Sequence, residues 1–535
     1  MSTLVCVPIT VDDLAPALAD AQLARDGGAD LVEYRIDECF SGTDDPDEER
    51  LILQLVADSP LPCIVTCRPT FEGGAYDGPE DARVSLFEKL GTAEHPPAYI
   101  DVELQAYTRS ANFRQKVNLA VQHPKQQRSV RTRLILSIHD FDGRPSDLTR
   151  RLADAWAEPA ASVVKLAYRA RSLRDNLELF ELLREGPKPM IALGMGEFGL
   201  MSRVLAPKFG GFLTFASLRD STATAPGQPT LSDLLGMYRF RSIGPETLVY
   251  GVIGWPVGHS MSPLIHNAGF EAVGHDGVYL PLPIAAGAND ADNATSLKGT
   301  LGALLDDRRL GLAGASVTLP FKKVMRDLAP VEGWQEDDEV TALGAANTLA
   351  RDEARFCLRN TDHTGLIAPL ETTLGSLDGR AIAVVGSGGV ARTAAIALAR
   401  CGARVTVYAR THRRAVEIAA THASINAAPL GDLQGSSADA YINCTPIGMD
   451  GGPEPGGTPV PIDAIERSPT ETVFFDTVYN PIDTPLLEAA GERGRRVIDG
   501  VQMFVKQAAG QFRRWTGKGA PVELFDRLVR ERLGG

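Results

Sequence analysis

Lys165 sits inside the short apolar run Ser162-Val-Val-Lys-Leu-Ala167. The run reads as a strand apolar on both faces, as in a parallel sheet covered on both sides. A buried ammonium with no partner is expensive and tends to lose its proton. Neutralising an ordinary lysine in water at neutral pH costs about 4.6 kcal/mol. Burial removes much of that cost, and a neutral amine can attack a ketone to form an imine. The plain alternative is a strand-end lysine that snorkels to solvent. His139 ends the run Leu134–His139. Its imidazole can act as base and then acid near neutral pH; alone, it also reads as a satisfied core histidine. Glu72, in Arg68-Pro-Thr-Phe-Glu-Gly-Gly74, could orient that imidazole. Arg203, in Met201-Ser-Arg203, is a candidate fork for a substrate carboxylate. Gln228 follows the Pro-Gly turn of Thr224-Ala-Pro-Gly-Gln228, where it could close over the site.

A second set lies downstream. Tyr250–Pro263 reads as a strand running into a glycine-rich turn with Ser260 and Ser262. Two hydroxyls at a helix start suit a carboxylate, or simply cap the helix. Lys322 follows the strand-like Gly314-Ala-Ser-Val-Thr318, and Asp362 lies in Asn360-Thr-Asp-His-Thr-Gly365. This opposite-charge pair could share a proton with a substrate hydroxyl, although surface ion pairs are common. The cofactor signal is Gly386-Ser-Gly-Gly-Val-Ala391, between the strand Ala381–Val385 and the helix Arg392–Arg400. The glycines let backbone approach a pyrophosphate, and the helix N-terminus favours its charge. The next strand, Arg404–Tyr408, ends in Ala409-Arg-Thr-His-Arg-Arg414. An acidic residue there would suit NAD; arginines and Thr411 favour a 2′-phosphate, hence NADP, unless the turn is merely exposed and basic.

Elements must position these groups. Eight apolar runs occur in the first half: Leu4–Ile9, Leu31–Ile36, Pro62–Cys67, Ala98–Glu103, Leu134–His139, Ser162–Ala167, Pro189–Leu193 and Phe212–Ser217. Their starts are 23 to 36 residues apart, with helix-like stretches such as Leu14–Arg25 and Asn176–Arg184 between most of them. Eight strand–helix units predict a (β/α)₈ barrel, with a doubly wound sheet as the competitor. Glu33, Arg35, Arg68, Glu103, His139 and Lys165 then fall at the carboxyl ends of strands, the rim where barrel sites lie. Glu33 and Arg35 read equally as a rim ion pair. Leu231–Phe240 is expected as a last helix, and the stretch after Asn112 shows no clear period. Gly-Pro in Arg241–Thr247 breaks the pattern before a new strand, Leu248–Ile253, which puts a boundary near Arg241. Further strands at Ala440–Cys444, Val473–Val478 and Arg496–Ile498 complete an open α/β sheet.

The 535 residues imply about two to four domains. A net charge of −14 argues against a nucleic-acid partner. No apolar run suits a bilayer, and no leader pattern is present. Seven thinly spread cysteines suit free thiols in a reducing compartment, hence the cytoplasm. Cys63 and Cys67 lack a matching second pair, so no metal site is expected.

The motifs of the first half, Glu33-Tyr-Arg-Ile-Asp37, Thr66-Cys-Arg68 with Glu72, Ser137-Ile-His-Asp-Phe141, Lys165-Leu-Ala, Gly199-Leu-Met-Ser-Arg203 and Ala225-Pro-Gly-Gln228, together resemble type I 3-dehydroquinate dehydratase. The resemblance implies that Lys165 forms an imine with the substrate ketone, and that His139 takes the C2 proton and helps water leave. It implies Glu72 as partner of the histidine, and Glu33, Arg35, Arg68, Arg203, Thr224 and Gln228 as substrate contacts. Thr224 stands where serine is usual. From Leu248 onward, Ser260-Met-Ser262, Val317-Thr-Leu-Pro-Phe-Lys322, Asn347-Thr348, Asn360-Thr-Asp362, the glycine loop, Asn443-Cys-Thr445, Asp476–Pro481 and Gly500–Gln507 resemble shikimate dehydrogenase. That resemblance implies Lys322 and Asp362 as the catalytic pair, with Ser260, Ser262, Thr318, Asn347, Tyr479 and Gln507 around shikimate. It implies Gly386, Ser387, Gly388, Gly389, Val390 and Ala391, with Arg410, Thr411 and Arg414, around NADP. Ser316 and Ala409 replace frequent asparagines, and His363 a common glycine. Relatives that use quinate tend to lose the hydroxyls of Ser262 and Thr318; both are present, which favours shikimate.

The expected architecture is α/β. A TIM barrel over 1–241 precedes a two-subdomain α/β unit over 248–535, with 248–364 and 502–535 binding substrate and 365–501 forming a Rossmann-type NADP subdomain. The expected function is bifunctional: dehydration of 3-dehydroquinate to 3-dehydroshikimate, then NADPH-dependent reduction to shikimate. Small-molecule substrates are the expected partners, without nucleic acid or membrane. Two rivals are an imine-forming aldolase barrel fused to a quinate dehydrogenase, and a non-catalytic metabolite sensor. A sensor would be free to lose Lys165, His139, Lys322 or Asp362, and all four are present.

Overall fold

Eight parallel strands make the first sheet: β1 (Leu4–Thr10), β2 (Leu31–Arg35), β3 (Cys63–Thr66), β4 (Tyr99–Glu103), β5 (Arg133–Asp140), β6 (Ala161–Arg169), β7 (Met190–Met195) and β8 (Leu213–Phe215). The computed structural model that shows them describes residues 2–43, 45–122, 131–222, 227–352 and 355–534. The strands pair in the order β7-β6-β5-β4-β3-β2-β1-β8. Across the remaining seam the Phe212 N–H donates to the Met190 carbonyl at 2.8 Å. This is the expected barrel, and the doubly wound alternative falls. The stretch after Asn112 forms the helix Ala111–Val121, with Ser110 accepting from the Phe113 N–H at its start.

Leu231–Phe240 departs from expectation. It is not one α-helix: it passes into a π turn at Asp233–Met237, and Arg239 ends it with φ 52°. Gly236, a weak helix former, lies inside the π turn. The Tyr238 N–H reaches back to the Asp233 carbonyl at 2.8 Å.

The second sheet contains β9 (Leu248–Gly254), β10 (Gly277–Pro283), β11 (Leu312–Val317), β12 (Gln335–Glu336), β13 (Thr348–Asp352) and β14 (Arg355–Arg359), in the order β10-β9-β11-β13-β14-β12. The third contains β15 (Ala381–Val385), β16 (Arg404–Ala409), β17 (Ile425–Pro429), β18 (Ala440–Asn443), β19 (Val473–Asp476) and β20 (Arg496–Ile498). Its order, β17-β16-β15-β18-β19-β20, is all parallel and is the dinucleotide-fold order. The helix Asp362–Leu374 leads from the second sheet to the third. The helices Gly500–Thr516 and Val522–Gly534 return to the second, where Phe512, Phe525 and Val529 pack with Tyr250 and Phe270.

The barrel and the second sheet share one continuous core. β10 is an edge strand, yet all seven of its residues are buried. The barrel turn Glu197–Gly199 and the helix Leu200–Val204 lie against it. The join is also clamped: buried Lys208 donates to the carbonyls of Pro245 (2.6 Å) and Thr247 (2.9 Å). Among the described residues no helix is long and apolar enough to cross a membrane.

Candidate active sites

In a strand, alternate residues share a face. Leu31, Ile64, Tyr99, Ile135, Val163 and Ile191 cluster as the lowest layer inside the barrel. Two residues on, the same face presents Glu33, Thr66, Asp101, Ser137, Lys165 and Leu193. Two further, it presents Arg35, Arg68, Glu103, His139, Ala167 and Met195. The barrel interior is therefore apolar below and charged above, at the carboxyl-end rim. Glu33, Arg35, Arg68, Glu72, His139, Lys165, Arg203 and Gln228 line one cavity there. Of the residues expected in this site, only Thr224 lies outside the described residues.

One premise is corrected. Lys165 is buried, but it is not without partners. Its Nζ lies 2.9 Å from Asp101 Oδ2, 3.3 Å from Glu33 Oε1 and 4.7 Å from the Phe215 ring centroid. Two carboxylates at such distances offset the charge of the buried lysine, so the premise of a side chain without partners does not hold. Glu33 and Arg35 are not paired with each other either. Arg35 binds buried Asp37 with two bonds of 2.8 and 2.9 Å, and Glu33 accepts from Thr66 at 2.6 Å.

Asp101 anchors the network. It accepts from Ser137 (2.6 Å) and pairs with Arg68 at 3.0 Å. Burial would push its carboxyl up, but Arg68 and Lys165 outweigh this and hold it well below the usual carboxylate range. Glu103 joins Arg68 (2.7 Å) to fully buried Arg83 (2.6 Å). His139 Nδ1 lies 3.0 Å from Glu72 Oε2. Burial, reinforced by Arg68 and Lys165, holds His139 well below the usual imidazole value. Burial pushes Glu72 up to about 8, against the pull of Arg68. Both partners therefore favour their uncharged forms, and a neutral imidazole is ready to accept a proton. Arg203 differs from the other cations. It is 2% exposed, its Nε finds no acceptor among the described residues, and burial brings it down to about 10. A buried guanidinium without a counter-charge is suited to an incoming carboxylate.

The second site is a hydrogen-bonded chain. Lys322 Nζ lies 2.6 Å from Asp362 Oδ2. Asn347 Nδ2 donates to the other carboxylate oxygen at 2.9 Å, and Asn347 Oδ1 accepts from the Thr361 N–H at 2.8 Å. Gln511 donates to the Asn347 carbonyl (3.0 Å) and accepts from Ser316 (2.9 Å), which accepts from the Tyr279 hydroxyl (2.6 Å). Tyr279 also contacts Ser262, which begins the helix Ser262–Val273. Ser316 is thus built into this chain. Thr318 is tied to β9 through its N–H, which donates to the Ile253 carbonyl at 2.8 Å. Gln507 lies beside Gly365, where a β-carbon would come within 2.7 Å of the Met503 carbonyl oxygen. The close approach of the two helices sets Gln507 beside the helix that starts at Asp362. Tyr479 stacks on Phe504 with centroids 5.4 Å apart. His363 Nδ1 donates to the Asn360 carbonyl at 2.6 Å.

The glycine loop fits a dinucleotide. Gly386 has φ 120° and packs on the Cys444 carbonyl, while β-carbons at Gly388 and Gly389 would meet nothing within 4 Å. The helix Gly389–Arg400 starts there without a side-chain cap, which leaves N–H groups for an anion. Ser387, Val390 and Ala391 complete the turn from β15 into the helix. Arg410, Thr411 and Arg414 are exposed just past β16. Among the described residues neither arginine has an ion-pair partner, whereas Arg413 pairs with Glu417.

Comparison with known proteins finds relatives of both halves of the chain. The profile of type I 3-dehydroquinase covers residues 5–245. Profiles of the shikimate dehydrogenase substrate binding domain, shikimate / quinate 5-dehydrogenase and the shikimate 5′-dehydrogenase C-terminal domain cover 252–349, 369–447 and 500–530. The chloroplastic bifunctional 3-dehydroquinate dehydratase/shikimate dehydrogenase of Arabidopsis thaliana is 34% identical, over 98% of this chain and 84% of its own length. The chain belongs to this bifunctional family. A shikimate dehydrogenase (NADP(+)) from Halorubrum lacusprofundi is 38% identical over 53% of this chain and 99% of its own.

Within this bifunctional dehydratase–dehydrogenase, sequence reasoning missed Asp101, Ser137, Tyr279 and Gln511 as parts of the two sites. Asp101 was within reach, because it precedes Glu103 by two residues and must share its face. Tyr279 and Gln511 gave no such signal, since 232 positions of sequence separate them.

The Glu72 environment sets a pH expectation. Below about pH 8 the wild-type carboxyl carries its proton, and glutamine matches it in shape and charge. If His139 rather than its partner transfers the proton, Glu72→Gln should keep dehydratase kcat within about 10-fold at pH 6.5. The deficit should widen above pH 8, where only the wild type gains a carboxylate beside His139. Paired pH–rate profiles check this, and a constant ratio from pH 6 to 9 would contradict it.

Proposed function

We propose that the barrel converts 3-dehydroquinate to 3-dehydroshikimate through an imine on Lys165, and that the second half reduces that product to shikimate with NADPH. One observation carries the first step: a lysine, a hydrogen-bonded histidine–glutamate pair and a buried guanidinium without an ion-pair partner among the described residues face one cavity. Arg203 takes the substrate carboxylate, while Arg35, Arg68, Glu33 and Gln228, with Thr224, hold its remaining polar groups. As substrate enters, the Lys165 proton passes to a neighbouring carboxylate, and the free amine attacks the ketone and expels water. His139 then removes the C2 proton, and the electron pair moves into the imine. The hydroxyl one carbon further leaves as water with the proton His139 carried. Hydrolysis of the imine releases 3-dehydroshikimate and restores Lys165.

In the second half Ser260, Ser262, Thr318, Asn347, Tyr479 and Gln507 hold the product of the first. NADPH, when bound along the glycine loop, supplies the hydride. Lys322 and Asp362 hold and deliver the proton that the carbonyl oxygen takes up. The Ser262 and Thr318 hydroxyls favour shikimate over quinate. This reading divides the chain into 1–241, 248–364 with 502–535, and 365–501. It places the protein in the cytoplasm, in keeping with seven unbridged cysteines.

The test is the purified chain with 3-dehydroquinate and NADPH. Loss of reduced cofactor without any added enzyme supports the reading, and no loss refutes it. Quinate with NAD, run alongside, should give little turnover. Replacing Arg410 and Arg414 together by alanine should raise KM for NADPH about 10-fold or more, since charge-assisted phosphate contacts are lost. KM for NADH should hardly change. Equal effects on both cofactors would remove the 2′-phosphate role.

A further inference from the structure

Trp255 belongs to the second half, yet its ring lies on Phe198 of the barrel, with centroids 5.5 Å apart and planes 9° from parallel. Phe198 is the middle residue of the turn Glu197–Gly199, which runs directly into the helix Leu200–Val204 that carries Arg203. On the barrel side this turn is held by Asn176, whose Nδ2 donates to the Phe198 carbonyl (2.9 Å) and whose Oδ1 accepts from the Ser202 N–H (3.2 Å). On the opposite side the turn and helix rest on β10, and Trp255 covers Phe198. The turn also supports the Gln228 segment: a β-carbon at Gly227 would come within 2.2 Å of the Gly196 carbonyl oxygen. Arg203 and Gln228 therefore share one small platform, and its outer wall comes from the other half of the chain. The Trp255 backbone is fixed in the frame of the second site, because its amide N–H donates to the Leu319 carbonyl (3.0 Å) next to Thr318.

Productive contacts must be held within about 0.5 Å by the residues behind them. Among the described residues, buried Arg203 Nε makes no hydrogen bond that would lock the guanidinium. Its aim then depends on where its short helix sits. We propose that Trp255 is a positioning residue for the dehydratase reaction, acting through Phe198 on Arg203, so that the first site is complete only with the second half docked. This rests on the reading of Arg203 as the carboxylate fork.

The test uses the full chain, with the dehydratase reaction followed by the absorbance of its conjugated product in the absence of NADPH. Trp255→Ala and Phe198→Ala should each raise KM for 3-dehydroquinate about 10-fold, with kcat nearly unchanged, because a carboxylate contact is present in both ground and transition states. The double variant should be no worse than the worse single one, as both remove the same contact. Trp255→Phe, which keeps a ring on Phe198, should restore KM. Lys208→Met cuts the clamp on the linker but leaves the stack, and should keep the wild-type KM. If Trp255→Ala leaves KM unchanged, or Lys208→Met raises it as much, the proposal is overturned. Arg203→Ala separates the two readings. A raised KM for Arg203→Ala with a normal one for Trp255→Ala removes only the role of Trp255. An unchanged KM for Arg203→Ala removes the carboxylate fork itself.

Discussion

Replacing Lys165 by alanine should lower dehydratase kcat by about 10⁴-fold or more, the scale on which losing a covalent nucleophile acts. The reduction of 3-dehydroshikimate by the same chain should stay at the wild-type rate, since Lys322 and Asp362, the pair proposed for it, lie at the starts of two helices outside the barrel. Lys165→Arg is the sharper variant. It keeps a cation between Asp101 and Glu33, which Lys165 Nζ approaches to 2.9 and 3.3 Å. Were the lysine only an ion-pair partner, arginine would rescue activity. As a nucleophile it has no substitute, because arginine stays protonated at any usable pH. Borohydride added during turnover should increase the mass of the peptide carrying Lys165 in the wild type and in neither variant. A wild-type peptide of unaltered mass would remove the imine mechanism from the barrel.

The second large effect belongs to Asp362. Asp362→Asn keeps the shape of the side chain and its bond from Asn347 can be re-formed, but the 2.6 Å pair with Lys322 loses its charge. General acid–base groups contribute about 10²–10⁴ in rate, so kcat for reduction should fall by that factor. Lys322→Met should fall on the same scale. The double variant should be little worse than either, because two members of one proton-sharing pair act as a unit. Dehydratase kcat and KM are expected to stay constant in all three. Asp362→Asn with near-wild-type reduction would show that the pair is structural.

The strand ends were the legible part of the first site. Eight apolar runs at regular intervals favoured a barrel over a doubly wound sheet, and a barrel sends the carboxyl ends of its strands to one rim. Glu33, Arg68, His139 and Lys165 could therefore be brought together before any coordinates. What the ends do to each other was not legible. Lys165 reads as unpartnered because Asp101 lies 64 positions away on another strand, and Arg35 turns to Asp37 rather than to Glu33. In the second half, local motifs revealed Lys322, Asp362 and the glycine loop. The Tyr279–Ser316–Gln511 chain depends on a C-terminal helix that folds back across 195 positions to reach Ser316. No pattern in a window of ordinary length carries that information. The π turn at Asp233–Met237 was missed for the opposite reason, since its residues have a helical pattern and differ only in hydrogen-bond register.

The burial of β10 bears on what happens when the chain is cut. Severed near Arg241, the downstream fragment would bare a ribbon containing Val278, Leu280 and Leu282 whose outer hydrogen-bonding side had been shielded by the barrel. Such a ribbon invites a like molecule to add to it, and self-association or precipitation follows. Keeping the halves on one polypeptide would then keep this edge covered in the reductase half.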